Sequence, residues 1–130
     1  MDVTAGTAIT DSGAVTVTGV TDLSAGTDIT LDSNNDFVGA VSASGSMISL
    51  FDQNNIILGD IDATGNLEVD AFGSIGDGVV SGAGSDINVA GTTNLNSNSS
   101  IIVVTDATND FGGEVSVSGS TVSLLSLIHI

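Results

Sequence analysis

The chain contains no lysine and no arginine, against sixteen acidic residues and a single histidine, for a formal net charge of −16. That absence excludes internal ion pairs other than those His129 or the amino terminus could make. It also sets the molecule against nucleic acid and anionic membrane surfaces, so neither a nucleic-acid partner nor membrane insertion is expected. Cysteine is absent too, which removes disulfides and a cysteine nucleophile. With one histidine and no cysteine, neither a zinc site nor a Ser-His-Asp triad has its residues. Proline, tryptophan and tyrosine are missing, and phenylalanine occurs four times. No apolar run approaches membrane-spanning length, and Met1-Asp2 opens without the basic and apolar regions of a signal peptide.

What remains is glycine, Ser, Thr, Asn and Asp around β-branched apolar residues. Apolar residues make up 41% of the chain, enough to build a core rather than a disordered polar chain. Val and Ile favour strands, and punctuation by Gly or Asn-Asp comes too often for a helix of three turns. The triplet apolar-x-apolar recurs eight times: at Met1-Asp2-Val3, Val15-Thr16-Val17, Ile29-Thr30-Leu31, Ile48-Ser49-Leu50, Leu67-Glu68-Val69, Ile87-Asn88-Val89, Ile101-Ile102-Val103 and Val122-Ser123-Leu124. Alternation with period two puts both outer residues on one strand face. Recurrence of one short strand along a whole chain is the mark of a solenoid. The expected fold is all-β, a right-handed parallel β-helix with one strand triplet per turn of about 14–21 residues. Val17, Leu31, Leu50, Val69, Val89 and Val103 are expected to point inward. Ser33-Asn34-Asn35-Asp36, Asp52-Gln53-Asn54-Asn55 and Ala107-Thr108-Asn109-Asp110 suit its corners.

A longer repeat overlies the short one. Residues 35–50 and 109–124 share eleven of sixteen positions, including Asn-Asp-Phe at both starts. Upstream, Val17–Leu23 aligns with Val89–Leu95 and Met1–Val3 with Leu67–Val69, so the second copy carries extra chain near Gly78–Ala83. Two super-repeats of four turns each are expected, with Phe37 and Phe111 in equivalent places. An insertion confined to one turn bulges out and leaves the stack intact.

The chemistry-bearing residues are few. Gly82-Ala83-Gly84-Ser85-Asp86 has the G-x-G-x-D core of calcium-binding nonapeptide repeats, but in one copy, with Asn88 where that repeat wants an apolar residue. Asp36 and Asp110 read as Asx-turn acceptors. Asp60 and Asp62 share one strand face, the spacing of paired carboxylates in glycoside-cleaving sites; an exposed strand edge accounts for them more simply. Thr16-Val17-Thr18 has the Thr-x-Thr form of ice-binding ladders, which the other triplets do not repeat. No catalytic, cofactor-binding or metal-ligating residue is assigned, no cofactor is implied, and an enzyme is not expected.

The segments Asn-Asp-Phe-x-Gly-x-Val-Ser-x-Ser-Gly at 35–45 and 109–119, with Ala25–Leu31, Asn66–Val69 and Gly73–Ile75, resemble the repeat region of filamentous-haemagglutinin-like exoproteins. Those are large bacterial surface or secreted proteins, often exported by two-partner secretion. The resemblance implies a parallel β-helical stalk of an adhesin, extracellular or at the bacterial cell surface, with an unidentified host or surface ligand. Two other readings stay open: a calcium-dependent secreted β-roll and a β-helical polysaccharide lyase or hydrolase. Residues 1–124 read as one repeat array, an internal piece of a longer protein that continues into further repeats. Leu125–Ile130 breaks the punctuation and resembles the translated transposon end used in sequencing libraries. A non-native tail is expected there, which removes His129 as a ligand or base.

Overall fold

In the computed structural model, which describes residues 1–78, 85–98 and 100–127, every regular element is a β-strand and every strand pair is parallel. The chain winds through six coils of three strands. The first coil carries β1 (Asp2–Ala5), β2 (Ile9–Thr10) and β3 (Thr16–Val17); the second β4 (Thr21–Ala25), β5 (Ile29–Leu31) and β6 (Asp36–Phe37). The third carries β7 (Val41–Gly45), β8 (Ile48–Asp52) and the start of β9 (Ile56–Ala63), whose end opens the fourth coil before β10 (Leu67–Ala71) and β11 (Ile75–Asp77). The fifth has β12 (Ile87–Val89), β13 (Thr93–Ser97) and β14 (Ile101–Val104); the sixth β15 (Asp110–Phe111), β16 (Val115–Ser118) and β17 (Thr121–Leu124). Each strand bonds to its counterpart one coil away. Asp2 opposes Asp22, and Asp22 in turn opposes Ser42. The parallel β-helix expected from the alternating triplets is therefore the architecture.

The count of coils is different from the expected eight. A coil is longer than the shortest triplet spacings because three strands, not one triplet, complete a turn. The eight triplets sample different faces: Ile29–Leu31, Ile48–Leu50 and Leu67–Val69 stack directly, one coil apart. Val15–Val17 and Ile101–Val103 lie instead on other faces of their coils, which is why some spacings were short. Strands such as Thr21-Asp22-Leu23, Val41-Ser42-Ala43 and Thr93-Asn94-Leu95 carry a threonine or alanine at an inward position, so the triplet pattern marks them weakly.

The long repeat is also out of phase with the coils. Residues 41–45 pair in the nine-stranded sheet, whereas their counterparts 115–118 pair in the six-stranded one; 48–52 and 121–124 are exchanged the other way. The copies sit about three coils and one face apart, not four whole turns. Three short strands joined by similar corners make the faces nearly interchangeable, so a strand-corner-strand motif fits any of them. The extra length falls where the alignment placed it. Ile48 pairs with Leu67 and Leu67 with Thr93, and the second of these steps spans distinctly more chain than the first. The excess lies between β11 and β12, in a stretch whose residues 79–84 fall outside the described residues.

Inward positions form continuous columns, such as Ile29, Ile48 and Leu67 on one face and Ile56, Ile75 and Ile102 on another. Parallel sheets need cover on both faces, and the coil supplies it by closing on its own interior. Leu31, Leu50, Val69 and Val89 are buried as expected, and Val17 is half-buried against the core. Val103 is the exception at 40% exposed, with Ile102 and Val104 buried in its place. Ile101–Val104 is apolar throughout, so its alternation carries no register; the pairing of Ile75 with Ile102 sets it, and a one-residue slip turns every side chain over. Phe37 is buried, while Phe111, in the last coil, is half-buried. At the corners Gly26 rests on Gly6 and Gly113 on Gly91; a Cβ at either would meet the carbonyl below, so the close approach of backbones requires glycine.

Two consequences can be measured. Phe37→Ala should cost about 3–5 kcal/mol in denaturant unfolding, and Phe111→Ala distinctly less, because Phe37 alone is fully enclosed. The buried hydroxyls of Thr21 and Thr93 have no hydrogen-bond partner. Replacing either by valine should therefore stabilise the protein by about 1 kcal/mol, since a desolvated, unpaired hydroxyl is removed at nearly constant shape. Loss of stability in both valine variants would mean that these hydroxyls are satisfied in solution.

Candidate functional site

Asp and Asn side chains hold the coils to one another at the corners. Asp28 accepts from Met47 N at 3.0 Å, Asn55 from Ser74 N at 2.8 Å and Asn66 from Thr92 N at 2.9 Å, each from the next coil up. Ser42, Asp60 and Asp86 form a similar column, Ser42 Oγ accepting from Asp60 N at 3.1 Å and Asp60 from Asp86 N at 3.2 Å. The Thr108 hydroxyl continues it by donating to Asp86, and it also lies 2.6 Å from Asp106. Side chains one coil away thus satisfy corner N–H groups that the strand ladders leave free.

The expected Asx-turn acceptors are not the ones the fold uses. Asp36 and Asp110 lie in strands β6 and β15, half-buried. Local turns are made by Asp52, which accepts from Asn54 N at 2.7 Å, and Asp106, which accepts from Thr108 N at 3.0 Å. The residues before the two aspartates, Asn35 and Asn109, are fully buried. Asn35 accepts from Val15 N at 2.8 Å and donates to Asp11 at 2.8 Å; Asn109 accepts from Ile87 N at 3.0 Å. The repeated Asn-Asp-Phe signal was therefore visible in the sequence, but its buried amide belongs to the first residue.

Asp52 is the one carboxylate of the sixteen that is fully buried. Both its oxygens are used, by Asn54 N and by Phe37 N at 3.0 Å. Desolvation nevertheless pushes its pKa above the ordinary carboxylate value, and the nearby Asp36 adds to the rise, against the lowering by the two N–H groups. Asp106, at the surface, is held below that value by the Thr108 hydroxyl and then by the Thr108 N–H.

Asp60 and Asp62 both project outward from β9 into solvent, but β9 pairs with β7 on one side and with β11 and β12 on the other, so they stand on an outer sheet face rather than at the expected strand edge. Among the described residues, no three His, Cys, Asp or Glu side chains gather in a way that could hold a metal ion. Of the calcium-repeat match, Gly82–Gly84 lie outside the described residues; Ser85 is buried and Asp86 exposed. His129 lies outside them as well. Leu125 N bonds to Val104 O at 2.9 Å and Leu127 N to Asn109 O at 2.6 Å, so the first residues after β17 continue the coil-to-coil bonding.

Two open recesses on the surface are notable. One, of about 630 Å³, runs past Asp62, Asn88, Asp110, Phe111 and Leu127. The other, of about 250 Å³, is lined by Phe51, Asp70, Phe72, Asn96 and Asn98 on the face of the six-stranded sheet. Sequence reading passed over this second one, because Phe51 and Phe72 are distant along the chain and only the coil length brings them together.

The family model described as "Repeats of unknown function (DUF5649)" matches residues 1–44 and 45–118. No curated protein and no solved structure matches the chain.

The raised pKa of Asp52 has a definite sign in stability. The native state binds the Asp52 proton more tightly than the unfolded chain, so this contribution is fully present below the ordinary carboxylate pKa. It is lost as pH rises through the raised folded value. Unfolding free energies measured from neutral pH down to pH ~4 should rise for the parent protein and rise less for Asp52→Asn. Parallel curves would show that Asp52 does not titrate differently in the two states.

Proposed function

The chain belongs to this family of repeats of unknown function, and from that premise we propose that it is a structural stalk segment of a secreted or cell-surface bacterial adhesin, without catalysis of its own. The observation that carries the reading is the unbroken stack: six coils share one interior, and every coil is bonded to the next through parallel backbone ladders and corner side chains. A rod built this way lengthens by about 4.8 Å per coil and depends on nearest neighbours only. Its surface of outward Ser, Thr, Asn and Asp, with no lysine or arginine, keeps the strand edges from sticking to other rods. The sequence resemblance to filamentous-haemagglutinin-like repeats supports the same reading and a location outside the cell or at its surface.

A spacer should tolerate loss of a whole coil. Deleting residues 21–40 removes one coil period and brings Ser42 opposite Asp2 in the register Asp22 held. In the parent protein displayed on its own cells, this deletion should leave folding, export and adhesion intact. Loss of adhesion by a folded, exported deletion protein would overturn the stalk reading and place recognition in these coils. The isolated segment should keep its strand signal in circular dichroism when a calcium chelator is added, and its Tm should rise modestly with monovalent salt as repulsion is screened. Unfolding in chelator would favour the calcium-dependent β-roll instead.

A further inference from the structure

Phe51 and Phe72 are turned outward, although both could have served the core of a chain with only four phenylalanines. Their rings meet edge to face, with centroids 5.8 Å apart and planes at 89°, so they form two walls of a corner. Phe72 is 55% exposed. Asp70 stands directly opposite Phe51 in the ladder and opposite Asn96 on its other side. The Asn96 amide donates to Asp70 Oδ1 at 2.7 Å, which fixes the carboxylate at the mouth of the recess. The backbone is fixed as well: Phe72 N bonds to Asp52 O and Asn98 N to Ala71 O, each at 3.0 Å.

Two aromatic walls with a carboxylate at their edge are complementary to a weakly hydrated cation. Ring faces attract a cation within about 6 Å of the centroid, and Asp70 supplies the counter-charge. No lysine or arginine exists in the chain to fill the place from within. The net charge of −16 steers cations in and turns anions away. A primary ammonium is strongly hydrated, whereas a methylated one sheds water readily and fills a recess of about 250 Å³ with apolar surface. We propose that the corner of Phe51, Asp70 and Phe72 binds a methylated ammonium group of the choline type.

The test uses the purified chain titrated with choline by calorimetry or NMR, beside dimethylbutanol, its uncharged carbon isostere. Choline should bind saturably, dimethylbutanol should not, and Phe72→Ala and Asp70→Asn should each weaken choline by roughly three- to tenfold. Both side chains lie outside the core, and circular dichroism checks that the variants stay folded. Phosphocholine separates the sources: weaker binding than choline assigns a free cation, equal or tighter binding a headgroup-bearing surface, and either keeps the trimethylammonium as the recognised group. Equal binding of dimethylbutanol would overturn the proposal in favour of a merely apolar cleft. Unchanged choline binding in both variants would overturn it in favour of diffuse charge attraction, and so would the absence of choline binding.

Discussion

Vertical register between coils is the constraint on which everything else rests. Each coil must return to within one strand spacing of its start, roughly 4.8 Å higher, with inward residues over inward residues. When it does, backbone groups on every face are paired and the apolar columns close. The successive steps from Ile9 to Ile29, Ile48 and Leu67 keep that register through the first four coils. The longer step from Leu67 to Thr93 keeps it too, since β10 pairs with β13 and β9 with β12 across the extra length.

Register also explains the polar chemistry. A chain without lysine or arginine has almost nothing with which to neutralise carboxylates by ion pairing, so a buried carboxylate must be satisfied by N–H groups or stay protonated. The fold leaves fifteen of its sixteen acidic residues at least partly exposed and surrounds Asp52 with two backbone donors. Others cap N–H groups of the adjacent coil from the surface, where water shares their charge. The same acidic side chains thus serve as connectors between coils and as the source of a field that favours cationic visitors.

Surface features of a solenoid are composed across coils rather than along the chain. The Phe51–Phe72 corner joins residues from adjacent coils, with Asn96 added from a third. Its position on the outer face follows from alternation, since Leu50 and Asp52 on either side of Phe51 are buried. A β-helix can carry such a recess without disturbing its core.

The sequence by itself determined the strand type, the parallel coil and most inward residues: alternation in Ile48-Ser49-Leu50 or Leu67-Glu68-Val69 has only one burial pattern that hides both apolar side chains. It also located the insertion and the corner residues. Only the tertiary structure decided the number of coils, because the distance along the chain between two triplets does not say whether they share a face. It decided the inward side of Ile101–Val104, where four apolar residues offer both registers, gave the turn-acceptor role expected of Asp36 and Asp110 to Asp52 and Asp106, and buried the neighbouring Asn35 and Asn109. It alone brought Phe72 to Phe51, since contact between coils depends on how many residues close a turn, a quantity that no local pattern carries.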